Sequence, residues 1–269
     1  MIEVLDSGPL TTVQDRGRPG LSHLGVPPSG AADPRAYELG SRLVGNRPGA
    51  ASLESTLCGP KLRFLADAVV ALTGAEHWPA FEVAPGDILD VEPYARGARV
   101  YLSVRGGIDV EPVLGSRSTD LMSGLGPPVV RPGDVLRVGD GVAGAPETLS
   151  AGPLPAEPVL RVVAGPRADW FAPQALASLT SQAWRMSTSS NRVGIRLEGE
   201  PLEWARSEEL RSEGLVTGAL QVPPNGQPIL LGPDHPTTGG YPVLAVVCSD
   251  DLWLMGQLRP GDRVRFASG

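Results

Sequence analysis

The sequence predicts a mainly β protein of two lobes, built as barrels or sandwiches, with only a few short helices. Three observations lead to that class. Apolar residues come in short runs, alternating or continuous, bounded by turn residues, which is the pattern of strands. Glycine (34) and proline (28) are spread through the 269 residues and punctuate the chain too often for long helices. Residues 141–158, GVAGAPETLSAGPLPAEP, carry neither a strand nor a helix period and read as a linker. The division is therefore a first lobe over 1–140, a linker over 141–158 and a second lobe over 159–269.

Strands of the first lobe are expected at Ile2–Leu5, Ser52–Leu57, Lys61–Leu65, Ala68–Leu72, Ile88–Val91, Arg99–Val104 and Val135–Val138. Those of the second are Val159–Val163, Trp184–Ser187, Gly194–Leu197, Thr217–Val222, Ile229–Leu231, Val243–Val247 and Arg263–Phe266. The strongest helix signal begins at Asp33, a good N-cap, with Pro34 at the first helical position and Gly45-Asn46 as the stop. Ala36, Leu39, Leu43 and Val44 then share one face. Weaker helices follow Pro173 and Ser249. A short motif recurs: APGDILDV (84–91), RPGDVLRV (131–138) and RPGDRVRF (259–266) each enter a strand through Pro-Gly-Asp. Proline presets φ and glycine accepts positive φ, so all three read as turns of one type in related lobes.

Composition excludes several functions. A net charge of −7 and the lack of basic clusters with interleaved aromatics argue against nucleic-acid binding. The longest apolar run, Pro242–Cys248, is too short to cross a bilayer, and the first residues lack the pattern of a secretory signal. Cys58 and Cys248 stand far apart outside any CxxC motif, which fits reduced thiols in the cytoplasm. Of 23 basic residues only Lys61 is lysine, and it lies between Pro60 and Leu62. That context rules out a P-loop and a biotin-carrier lysine. The three histidines are too scattered for a metal site.

Three segments concentrate polar side chains among glycines and prolines. Residues 11–30, TTVQDRGRPGLSHLGVPPSG, hold Gln14, Asp15, Arg16, Arg18 and His23 just before the helix at Asp33. Arginines beside a helix start can clamp a carboxylate or phosphate, or stand solvated in a surface loop. Residues 104–126 combine Gly106-Gly107 with Ser116, Arg117, Ser118, Thr119 and Asp120. Arg117 and Asp120 can pair with each other or face a ligand. Residues 212–242 contain Glu213, Gln221, Gln227, Asp234, His235, Thr237, Thr238 and Tyr241, stiffened by prolines. Asp234 and Glu213 are the natural general-base candidates, with hydroxyls and amides to orient a small polar substrate; the alternative is a rigid barrel corner whose polar groups are satisfied internally.

These segments, with LVGN, LESTLCGP and the last RPGD, occur in one order over nearly the whole chain, and together they resemble the allophanate hydrolase subunit 2 family. The resemblance implies two cyclophilin-like β-barrel lobes. It also implies the role of a C-type subunit in a complex that opens 5-oxo-L-proline to L-glutamate with ATP. A B-type companion and an A-type, lactam-utilisation-like subunit would complete that complex. Trp204 and Trp253 are then the aromatic residues expected to anchor a companion. Other members resemble the biotin-dependent carboxyltransferase part of urea carboxylase, or an antagonist that binds a kinase inhibitor without chemistry. Carried over by motif, the catalytic candidates are Asp234 and Glu213. The substrate-facing candidates are Gln14, Asp15, Arg18, Arg117, Asp120, Gln221, Gln227, Thr237, Thr238 and Tyr241. The missing P-loop puts ATP at an unconventional, shared or partner-borne site.

Overall fold

The computed structural model describes all 269 residues, and the chain divides into two units. The first unit comprises Met1–Arg18 and Ser29–Leu154; the second comprises Pro19–Pro28 and Pro155–Gly269.

The first unit contains β1 (Ile2–Asp6), β2 (Thr11–Gln14), β3 (Ser52–Thr56), β4 (Lys61–Phe64), β5 (Ala68–Gly74), β6 (Trp78–Val83), β7 (Ile88–Asp90), β8 (Arg99–Val104), β9 (Ile108–Asp109) and β10 (Val135–Val138). They form two five-stranded sheets, ordered β7-β4-β1-β10-β9 and β2-β3-β8-β5-β6. One core joins them: Ile2, Val4, Leu62 and Phe64 from the first sheet meet Val13, Leu53, Leu72 and Leu102 from the second. Helix α1 (Pro34–Leu43) lies where the sequence places it. Asp33 accepts a hydrogen bond from the Ala36 amide, satisfying one of the free N–H groups of the first turn. Gly40 lets this helix sit close to β5 and β8, since a Cβ there would stand 2.6 Å from Ser103 Oγ and 2.9 Å from Thr73 Oγ1.

The second unit contains β11 (Val159–Ala164), β12 (Ala183–Met186), β13 (Gly194–Glu198), β14 (Glu213–Gly214), β15 (Ala219–Gln221), β16 (Ile229–Leu231), β17 (Thr238–Gly239), β18 (Val243–Val247) and β19 (Arg263–Ser268). Seven of these close a barrel in the order β11-β18-β15-β16-β13-β12-β19. Closure removes free edges, and the barrel fills with Leu160, Trp184, Leu197, Leu220, Leu230 and Phe266. The remaining pair, β14 and β17, forms a separate ladder in the 212–242 segment, with Glu213 opposite Gly239. Helices α2 (Ala175–Ser181) and α3 (Leu252–Gly256) are short. No helix is long and apolar enough to cross a membrane.

The three Pro-Gly-Asp turns share one geometry. In each, the Asp carboxylate accepts from an amide three residues earlier: Ala84 N to Asp87, Arg131 N to Asp134 and Arg259 N to Asp262, all at 2.8 Å. The Asp amide donates back to that residue's carbonyl. Gly86, Gly133 and Gly261 hold φ of 95°, 92° and 92° with open space around them, so conformation rather than packing demands glycine.

Candidate functional site

At the end of β2 the chain carries Gln14 and then turns through Asp15–Arg18 against Ser116–Asp120. Asp15 holds the two stretches together. Its Oδ1 accepts from the hydroxyls of Ser116 and Ser118, both at 2.6 Å, and from Gly17 N at 2.7 Å; Oδ2 accepts from Arg117 N at 2.6 Å. Charged acceptors bind such donors strongly, so the buried carboxylate fixes the backbone beneath Arg117. Asp15 is thus an organiser of the site, with its lone pairs directed at protein groups.

Three buried polar atoms in this cluster find no partner: Gln14 Oε1, Arg18 Nη1 and Thr119 Oγ1. Gln14 Nε2 donates to the Thr119 carbonyl at 2.9 Å, which sets the amide's orientation and leaves Oε1 as the unmet acceptor. Arg18, 2% exposed, donates to the carbonyls of Val113 (3.3 Å) and Ser118 (2.5 Å), with no carboxylate beside it. A buried guanidinium held by neutral carbonyls retains its demand for an anion or a strong acceptor.

Arg117 and Asp120 do not pair. Asp120 closes its own turn, accepting from Met122 N, Ser123 N and Ser123 Oγ. Arg117 donates Nε to the Val110 carbonyl at 2.8 Å and lines a pocket of about 250 Å³. Arg47, Asp109 and Asp140 line it too, with Gly106, Gly107, Gly139 and Gly141 forming part of its wall. A second pocket of about 610 Å³ in the same unit is bordered by Asp67, Glu82, Asp87 and Arg105 among apolar side chains.

In the second unit, Asp234 is fully buried and grips an equally buried Arg192: Oδ2 accepts Nε at 2.8 Å and Oδ1 accepts Nη2 at 3.0 Å. With both oxygens held by a buried guanidinium, this carboxylate has the geometry of an internal strut. Glu213 is clasped by the guanidinium of Arg167 through both carboxylate oxygens. That hydrogen bonding holds the Glu213 carboxyl below the ordinary glutamate range, which makes it a weaker base. Gln227 bridges to Gly199, accepting from its amide and donating to its carbonyl. Gln221 donates to the Tyr241 carbonyl at 3.0 Å. Tyr241 and Thr238 are exposed and Thr237 half-buried, so these three present side chains outward from the β14–β17 corner.

Local sequence pattern marks the segments that interlock but not the residues that determine their chemistry. Arg192 and Arg167 lie 42 and 46 positions from their carboxylates, and no local spacing marks them. Arg47 follows the helix stop and lines the pocket, with its amide bonded to the Gly141 carbonyl at 2.6 Å. A further buried network is equally invisible to local pattern: Glu54 accepts from Arg99 Nε (3.1 Å), Tyr101 Oη (2.7 Å) and Ala32 N (2.9 Å). Burial pushes the Tyr101 hydroxyl well above its ordinary pKa, and the Glu54 charge adds to the shift. No group of three or more His, Cys, Asp or Glu side chains is placed to hold a metal ion.

The chain belongs to the carboxyltransferase domain family, subdomains A and B, whose pattern matches it over residues 24–268. Among individual relatives it is 36% identical to the 5-oxoprolinase C-type subunit of Escherichia coli strain K12, covering 99% of this chain and 90% of that one. It is 34% identical to the urea amidolyase of Lachancea kluyveri over 98% of this chain but 17% of that protein. The crystal structure of the K. lactis urea amidolyase superposes with a TM-score of 0.92 at 34% identity, over 99% of this chain and 18% of the larger one.

Proposed function

We propose that the chain is the C-type subunit of a multi-subunit 5-oxoprolinase. It would contribute to the ATP-dependent opening of 5-oxo-L-proline to L-glutamate with a B-type companion and an A-type subunit. The observation carrying this reading is the 36% identity to the E. coli C-type subunit, 90% of which is covered, against 34% to the fungal urea amidolyase. We assign ATP to the complex as a whole and derive no step of this chain through it. The Arg117 pocket is this chain's surface for substrate. The two free thiols suit a reduced cytoplasm.

The experiment is reconstitution. Glutamate release from 5-oxoproline and ATP is expected only when this chain is combined with B- and A-type companions. Robust turnover by the chain alone, or none in the reconstituted complex, overturns the reading. The family match supports a second reading, carboxyl transfer from carboxybiotin to urea or a related amide. Transfer by this chain with a biotin-carrying partner, without lactam opening, would favour that alternative.

A further inference from the structure

We propose that the glycine-walled pocket of the first unit binds a small carboxylate, gripped by Arg47 and Arg117, with Asp140 accepting from an N–H group of the same ligand. Three features carry this. Two arginines line one pocket of about 250 Å³, and neither belongs to an ion pair. Each spends Nε on a backbone carbonyl, Arg47 on Val142 at 3.1 Å and Arg117 on Val110 at 2.8 Å. Their terminal nitrogens are thereby held in set directions and remain unspent. Planar, oriented guanidinium groups match the two oxygens of a carboxylate better than any other side chain does.

The second feature is the charge balance. Asp109 is offset by Arg137 at 3.6 Å, whereas Asp140 has no cationic partner. Two cations and one free carboxylate leave a net positive pocket with a single anionic point, which suits a ligand carrying both a carboxylate and an N–H donor. The third is the wall. A Cβ on Gly106 would lie 2.1 Å from the Gly139 carbonyl oxygen, and one on Gly141 would lie 2.9 Å from the Gly106 carbonyl oxygen. Side chains are excluded there, so bare backbone borders the cavity and its small volume is kept open. Asp15 adds rigidity by anchoring the Arg117 amide at 2.6 Å.

The preference for a lactam N–H rests on the 5-oxoprolinase reading; the need for a carboxylate does not. Isothermal titration of the full chain with 5-oxo-L-proline, 2-pyrrolidinone and cyclopentanecarboxylate separates the two. We expect 5-oxoproline to bind at least about tenfold more tightly than 2-pyrrolidinone, which lacks the carboxylate. Arg47→Gln and Arg117→Gln should each weaken 5-oxoproline about tenfold or more, and Asp140→Asn should weaken it without weakening cyclopentanecarboxylate. The exposed Arg47 side chain makes its variant safe for folding, and the melting temperature of each variant is measured alongside. Arginine-dependent binding of cyclopentanecarboxylate with none of 5-oxoproline would uphold the carboxylate site and defeat the lactam reading. If no carboxylate saturates the chain at millimolar concentration, or if folded variants of both arginines bind like the parent, the proposal is wrong.

Discussion

A carboxylate's neighbours decide whether it can take a proton or must hold a shape. Asp234 looks like a base in sequence, aimed by Pro233 and Pro236, yet its two oxygens are both committed to Arg192 in a fully buried pair. Asp234→Asn should therefore destabilise the second unit by about 3 kcal/mol, because the guanidinium would remain buried without its counter-charge. A urea-unfolding midpoint unchanged from the parent would refute that assignment. Asp15→Ala should cost about 2 kcal/mol by stranding the donors of Ser116, Arg117, Ser118 and Gly17, and it should also loosen Arg117. Faster hydrogen exchange at the Arg117 amide, measured by NMR, is the specific readout. Tyr101 supplies a pH dependence of determinate sign. Its folded pKa lies above the ordinary value of 10.0, so the unfolded chain loses the phenol proton first. Stability is whole below about pH 10 and falls as the pH rises from there through the folded value. Tyr101→Phe should flatten that alkaline decline in a thermal-melt series, although it also removes the hydrogen bond to Glu54 and lowers stability at neutral pH.

At the scale of elements, the three Pro-Gly-Asp turns show what local sequence specifies well. Their conformation depends on three adjacent residues, and the structure repeats the same reciprocal bonds each time. Replacing Gly86, Gly133 or Gly261 by alanine should cost about 1 kcal/mol each, all from backbone strain, since no neighbour crowds the new methyl group. Equal losses across the three in chemical denaturation would confirm a shared device; a negligible loss at any one would exclude strain there. Strands with apolar runs are legible for the same local reason, and β8, β10, β16 and β18 fall where the pattern puts them. Strand β2 is not legible, because Thr11, Thr12 and Gln14 look like loop residues. All three are buried, and Thr11 is satisfied by Ser55 Oγ at 2.8 Å, a partner 44 positions away. Pro79 similarly hides β6, which tolerates it as an edge strand. The two-residue ladders β9, β14 and β17 are too short for any periodicity to reveal. The polar motifs of the candidate site are visible as clusters, but their roles are decided by distant arginines, which no pattern in one sequence connects.

For the whole molecule, the unit boundaries matter more than the lobes do. Pro19–Pro28 belongs with Pro155–Gly269, so the chain leaves the first unit, returns to it and leaves again. A cut after Leu154 would thus yield a second fragment lacking part of itself. Residues 155–269 expressed alone should melt about 5 °C below the same fragment with 19–28 joined through a flexible Gly/Ser tether. Identical melting of the two would show that the early segment adds nothing to that unit. Trp204, one of the two expected anchors for a companion, is partly engaged within the second unit, where it packs edge-on against Trp170 and Phe171. The interleaving also imposes a schedule on synthesis. At roughly 5–20 residues per second, the segment around His23 leaves the ribosome on the order of ten seconds before any of the barrel it belongs to exists. During that interval the first unit must condense around a tethered loop that it does not keep. A newborn chain therefore carries an unfinished piece of its later half through the folding of its earlier one, and slower elongation lengthens that interval.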